Sequence, residues 1–127
     1  MRRALLFAAS IALVFVIGCD PHRENRMAEI RQMTGGNPHA GRDKIRSYGC
    51  NTCHIIPGIT GVQGVVGPPL EHWSRRVYIA GEFPNTPDNL TKWIQHPPRL
   101  VPKTAMPDMG VTEQDSRDIA AYLYSLN

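Results

Sequence analysis

The chain has 127 residues, 42% of them hydrophobic, with 14 Lys and Arg against 11 Asp and Glu, a formal net charge of +3. That length makes one domain at most, with a small core, and the ordinary apolar fraction excludes a disordered or fibrous chain. The positive balance is no argument for nucleic-acid binding: Arg2 and Arg3 fall in the leading segment, and no basic stripe with interleaved aromatics follows.

Arg2 and Arg3 form a positive start, and Ala4 to Ile17 is apolar apart from Ser10. The run fits the apolar region of a signal peptide and is short for a membrane-spanning helix, which needs about twenty residues. It ends in Val16-Ile17-Gly18-Cys19, which resembles the bacterial lipobox. Residues 1–18 therefore read as a lipoprotein signal peptide and Cys19 as the lipidated residue that becomes the mature N-terminus. The rival reading is an uncleaved anchor. Either one tethers the domain to the outer, periplasmic face of the cytoplasmic membrane, and two or more acyl chains make such anchoring stable. Asp20 resembles an inner-membrane retention signal. Without Arg2 and Arg3, twelve basic residues face eleven acidic ones.

Residues 19–38 are polar, mixed in charge, and close on Gly35-Gly36-Asn37-Pro38. They read as a flexible, lipid-anchored tether with at most a short helical stretch near Met27 to Met33. Such a chain reaches roughly 25 Å. The folded domain is expected over 39–127. His39 to Tyr48 has helical periodicity, with Ala40, Ile45 and Tyr48 as inward positions, and Gly41 stands in the helix at a cost of about 1 kcal/mol.

Cys50-Asn51-Thr52-Cys53-His54 follows directly. This is Cys-x-x-Cys-His, the attachment signature for c-type haem. Two thiols three positions apart can each form a thioether to one haem vinyl group, and the adjoining histidine is then placed as proximal iron ligand. A thioredoxin-type dithiol wants a βαβ context, and a zinc site wants a second Cys or His pair; neither is found. With Cys19 assigned to lipid, no structural disulfide remains.

Ile55 to Leu70 is a Gly-, Val- and Pro-rich apolar loop, suited to wrapping a flat hydrophobic ligand. Glu71 to Ile79 is expected as a short helix or turn with Trp73 and Tyr78 inward. Thr86 as N-cap and Pro87 at the first position open a helix with Leu90, Trp93 and Ile94 buried, and Pro97-Pro98 ends it. Val101 to Gly110 is an irregular loop. Thr112-Glu113-Gln114-Asp115 resembles a capping box and opens a last helix to Leu126, with Ile119, Tyr122, Leu123 and Leu126 on one face. Met106 and Met109 lie just before that helix, and either thioether could serve as a second axial ligand or fill core space.

The order of a helix, Cys-x-x-Cys-His, a Gly67-Pro68-Pro69-Leu70 loop, Met106-Pro107 and a C-terminal helix resembles a class I cytochrome c over about Gly36 to Leu126. Asn85 to Leu90, Trp93-Ile94, Met106-Pro107 and Asp118 to Leu123 are especially similar to the cytochrome c domain of caa3-type oxidase subunit II and to small membrane-anchored cytochromes. The resemblance implies an all-α fold, three to five helices wrapped around one covalent haem c. It implies Cys50 and Cys53 as thioether sites and His54 as proximal ligand, and it favours Met106, before Pro, over Met109 as distal ligand. It gives the Pro68 carbonyl the task of orienting His54 and places Gly41 and Tyr122 at the crossing of the first and last helices. Trp73, Arg75 and Arg76 become candidates near the haem propionates. His22, His39, His72 and His96 read as surface residues, His72 being the best candidate for a propionate contact.

The implied function is a monohaem electron carrier, not an enzyme. A haem–copper terminal oxidase would be the acceptor and a cytochrome bc1-type complex the donor, with no small-molecule substrate and a monomeric protein when alone. The chain lacks the copper-binding part that fused oxidase domains continue from, which favours a free-standing donor. Two alternatives stay open: a haem subunit of a periplasmic dehydrogenase, and gas binding or catalysis at an open iron site.

Overall fold

Among residues 20–127, which this computed structural model describes, five α-helices and one two-stranded hairpin carry the chain. Residues 1–18, expected as a signal peptide, and Cys19 lie outside the described residues. Helix α1 spans Pro21–Thr34, α2 Pro38–Ser47, α3 Pro87–Gln95, α4 Pro97–Leu100 and α5 Glu113–Ser125. The mostly helical architecture agrees with the all-α expectation.

The first difference from expectation is α1. The stretch expected as a flexible tether is a fourteen-residue helix. Asp20 caps it by accepting from the His22 amide at 3.0 Å, Pro21 stands at its first position, and Gly35 closes it in the left-handed region at φ 67°. Its inward face is narrow. Ile30 and Thr34 are buried, and the Thr34 hydroxyl donates to the Ile30 carbonyl at 2.7 Å. Arg26 reaches the Tyr124 carbonyl at 3.5 Å, so α1 lies on α5 instead of trailing into solvent.

Helix α2 starts on an Asn37 cap with Pro38 first, and crosses α5 more extensively than any other pair of elements meets. Gly41 makes the approach possible, since a Cβ there would collide with the Asp118 carbonyl. Tyr122, expected at the same crossing, donates its hydroxyl to the Pro57 carbonyl at 2.7 Å and pins the loop after the Cys-x-x-Cys-His segment.

In α3 the Thr86 hydroxyl accepts from the Asn89 amide, and Leu90, Trp93 and Ile94 are buried, as the periodicity predicts. Pro97 both ends α3 and opens the single turn α4. Helix α5 is capped by Thr112 accepting from Asp115, and buries Ile119, Ala120, Ala121, Leu123 and Tyr124.

Residues 71–79, expected as a short helix or turn, form a turn and then a strand that was not expected. A 3-10 turn, Trp73–Arg75, leads into strand β1, Tyr78–Ile79, which pairs antiparallel with β2, Phe83–Pro84. Strand alternation sends Ile79 into the core and Tyr78 outward at 59% exposure, so only Trp73 of the two expected aromatics is buried. Ala80 and Gly81 turn the hairpin at φ 52° and 75°. The core lies between α2, α3 and α5 and continues under the hairpin through Ile79, with Ile45, Ile56 and Leu90 sealed inside.

Candidate functional site

Gly49, at φ 70°, releases the chain from α2 into a tight 3-10 turn, Cys50–Thr52. The Cys50 carbonyl then accepts from the amides of Cys53 at 3.3 Å and His54 at 3.1 Å, so both cysteines and the histidine project from a single turn. Cys50 and Cys53 are half-buried. Burial pushes the Cys50 thiol above its ordinary pKa.

The following loop is laced back onto this turn. Gly64 donates to the Asn51 carbonyl at 2.9 Å, Gly67 to the Cys53 carbonyl at 2.8 Å, and the Asn51 side chain to the Val62 carbonyl at 2.7 Å. Gly67 lies flat against the His54 ring, where any Cβ would collide with it. The Pro68 carbonyl stands 2.7 Å from His54 Nδ1. Only a protonated Nδ1 can donate to that carbonyl, which leaves Nε2 with its lone pair free.

Met106 comes from the other end of the chain. Its amide donates to the Thr104 hydroxyl at 3.2 Å, and the side chain is half-buried. Asp108 shapes the loop by accepting from the Gly110 amide at 2.9 Å and lying 3.1 Å from His96 Nδ1. The Gly110 N–H and then His96 hold the Asp108 carboxyl below its ordinary pKa.

These segments wall one cavity of about 420 Å³. Cys50, Cys53, His54, Pro68, Trp73 and Met106 all line it, so the structure brings together the residues expected at the site from the sequence, apart from Arg75 and from Cys19, which lies outside the described residues. Met109 also lines it, at the exposed edge. Ile45, Leu70, Leu90, Ile94 and Ile119 make the walls apolar. A smaller groove of about 210 Å³ between α3 and α5 is lined by Asp88, Lys92, Glu113 and Arg117; it is solvated charged surface away from the cysteines.

One correction concerns Arg75, while Arg76 and His72 stand as candidate and surface residue respectively. Arg75 is exposed and does not line the cavity, because the 3-10 turn points it to solvent. Arg76, one residue on, does. It stacks on Trp73 with its guanidinium carbon 5.1 Å from the ring centroid and donates to the Pro69 and Glu71 carbonyls. His72 is exposed, at φ 52°, and lies outside the lining. Trp73 Nε1 is a buried donor with no partner among the described residues. An orphaned buried donor on a cavity wall is the mark of a place for a ligand acceptor.

Tyr48 and Asn85 have roles that periodicity did not reveal. The Tyr48 hydroxyl donates to Asp115 at 2.7 Å, and Lys44 pairs with the same carboxylate at 2.9 Å. Lys44 first and Tyr48 second hold the Asp115 carboxyl below its ordinary pKa, and Asp115 raises that of Lys44. Asn85 donates to the carbonyls of Trp73 and Arg76 and accepts from the Tyr124 hydroxyl, whose pKa burial pushes up to about 12. The only sequence sign was polarity at otherwise apolar segments. Among the described residues, no group of three or more His, Cys, Asp or Glu side chains could jointly hold a metal ion. The site is thus an apolar cavity whose walls carry two thiols, the His54 imidazole, the Met106 thioether and the unpartnered Trp73 N–H.

The chain is 33% identical over 104 residues to the cytochrome c oxidase subunit 2 of Alkalihalophilus pseudofirmus, a match that takes in 81% of this chain and 30% of that protein. It thus spans under a third of the length of the curated relative it matches, and the similarity relates it to a portion of an oxidase subunit. No family model and no solved structure matches. No helix among the described residues is long and apolar enough to cross a membrane.

Proposed function

We propose that the chain is a membrane-anchored monohaem c-type cytochrome with a class I cytochrome c fold, passing single electrons in a respiratory chain to a haem–copper terminal oxidase. The observation that carries this reading is the single apolar cavity walled by Cys50, Cys53 and His54 on one side and Met106 on another. A volume of about 420 Å³ is in the usual range of ligand pockets. Haem supplies a one-electron couple at its iron. The residues fit it. Cys50 and Cys53 offer two thiols for thioethers, and His54 offers Nε2 in a tautomer fixed by Pro68. Met106 offers a soft thioether that favours the reduced state, and Trp73 and Arg76 offer donors to carboxylates at the ligand's edge.

The oxidase is preferred as acceptor over a dehydrogenase partner because the similarity is to an oxidase subunit. A bc1-type donor and a lipid on Cys19 belong to the same proposal. On this reading the chain's own task is to bind, orient and insulate a redox group.

The test is the visible spectrum of the exported protein, oxidised and reduced, with carbon monoxide added to the reduced form. Sharp low-spin c-type bands unaffected by carbon monoxide are expected. Met106→Ala should open the sixth position and bind carbon monoxide, whereas Met109→Ala should leave the spectrum unchanged. The reverse result assigns the ligand to Met109. A wild type that binds carbon monoxide moves the gas-binding reading to first place.

A further inference from the structure

Residues 72–80 form one edge of the cavity, which Trp73, Arg76, Tyr78 and Ala80 line. Both ends of this stretch hold a non-glycine residue in the left-handed region, His72 and Ala80, each at φ 52°. Such a conformation is unfavourable for a residue with a Cβ and persists only where surrounding contacts impose it. The 3-10 turn closes on itself through Arg75 to the His72 carbonyl and Arg76 to the Trp73 carbonyl, both at 3.0 Å. Those local bonds do not fix where the stretch lies against the cavity.

Asn85 does. Its Nδ2 donates to the Trp73 carbonyl at 3.1 Å and to the Arg76 carbonyl at 2.9 Å, and its backbone N–H donates to the Val77 carbonyl at 2.8 Å. Carbonyls only accept, so the amide nitrogen must face them and the amide oxygen must face away. There Oδ1 accepts from the Tyr124 hydroxyl at 2.9 Å. Tyr124 is buried on α5, and burial pushes its phenol up to about 12, so it stays a donor at neutral pH. Helix α5 thus holds Asn85, and Asn85 holds the stretch. Ser74 adds a tie at the exposed side, its hydroxyl donating to the Leu126 carbonyl at 3.0 Å.

The stretch presents a pair of donors to the cavity. Trp73 Nε1 is buried without a partner among the described residues, and Arg76 stacks on the same indole. Both side chains grow from backbone whose carbonyls Asn85 grips. Asn85 and Tyr124 themselves lie outside the cavity lining, so any effect they have on its contents runs through Trp73 and Arg76.

We propose that Asn85, itself fixed by Tyr124, is a positioning residue that sets the Trp73 N–H and the Arg76 guanidinium against the carboxylates at the haem's edge, and so helps to fix the reduction potential. This role rests on the reading of the cavity as a haem site. Donors beside a carboxylate offset its negative charge. Negative charge left uncompensated near the iron favours the more positive, ferric state, so loosened donors lower the potential.

Two near-isosteric variants of the haem-loaded protein test this. Asn85→Asp keeps the shape and turns the donor into an acceptor facing two carbonyls. Tyr124→Phe keeps the ring and removes only the bond that fixes the amide. Both should retain the low-spin c-type spectrum of the wild type. The midpoint potential should fall in both, further in Asn85→Asp. Exchange of the Trp73 indole N–H with solvent, followed by NMR, should accelerate at least about tenfold in Asn85→Asp, the effect of one lost bond. Ile30→Ala is the control for a purely structural role: it should lower stability and leave both readings at the wild-type values. A potential and an indole exchange unchanged in Asn85→Asp, or moved equally by Ile30→Ala, would make Asn85 a structural clamp and overturn the positioning role. Should Asn85→Asp fail to fold, Tyr124→Phe decides by the same two readings. A wild type without covalent haem overturns the haem reading and this role with it, whereas a low-spin wild type with an indifferent Asn85→Asp overturns the role alone.

Discussion

Tyr48 ties the attachment segment to the last helix. Its ring lines the cavity two residues before Cys50, and its hydroxyl bonds the Asp115 carboxylate on α5. Removing the hydroxyl with Tyr48→Phe leaves the ring in place and deletes one bond to a charged acceptor, a loss of about 1–2 kcal/mol in urea unfolding. The pH dependence of stability carries the same signature. Because Lys44 and Tyr48 hold the folded Asp115 carboxyl below its unfolded value, the unfolded state binds the proton more readily. The stabilisation is therefore present above about pH 4 and is lost as pH falls through the depressed folded value. Asp115→Asn should flatten that acid limb. The raised Lys44 value works in the opposite direction: its contribution is present below the unfolded pKa and is lost only as strongly alkaline pH passes the folded one. An acid limb equally steep in Asp115→Asn would show that other carboxylates govern it.

At the scale of elements, α1 is held by few groups: Ile30, the back-bonded Thr34, and the reach of Arg26 to Tyr124. Ile30→Ala should cost about 2–4 kcal/mol, and hydrogen exchange should show the α1 amides released before those of α5 in that variant. Amides of α1 exchanging freely in the wild type would return the segment to a tether. The docked helix also shortens any reach from a lipid on Cys19, because only Asp20 intervenes before α1. Much of this architecture was legible in the sequence. The caps Thr86 and Thr112, the buried stripe Leu90, Trp93 and Ile94, and the close turn at Cys50 to His54 followed from local rules that tertiary packing did not overrule. The polarity of α1 hid it, although Asp20-Pro21 and Gly35 are cap signals; a helix that buries one isoleucine and a threonine shows no apolar stripe. The hairpin was hidden for another reason, since Ala80 adopts a left-handed conformation that alanine does not announce. At the site, the sequence named both Arg75 and Arg76, and only Arg76 lines the cavity, because adjacent residues at a 3-10 turn face different ways, which spacing alone cannot resolve.

For the whole molecule, the cavity of about 420 Å³ is what distant segments of the chain share. The walls come from α2, the loops around residues 50–70 and 104–109, α3 and α5, segments far apart in sequence. Whatever fills the cavity is thus the shared contact that joins the two ends of the chain. Local pairs such as α1 on α5 or β1 with β2 cannot substitute, because none of them spans that space. On the proposed function, folding and cofactor binding are coupled, since a ligand bound only by the folded state stabilises it by mass action. Cys50→Ala/Cys53→Ala, which leaves the apolar walls intact but cannot form thioethers, separates the two contributions. Exported without covalent haem, this variant should retain some far-ultraviolet helical signal, lose near-ultraviolet signal, and unfold without a cooperative transition. Added free haem should restore a transition whose midpoint rises with haem concentration. A variant that unfolds cooperatively within about 2 kcal/mol of the haem-loaded protein, with no response to haem, would mean that the walls close on themselves and that the cavity is not the organising feature of the fold.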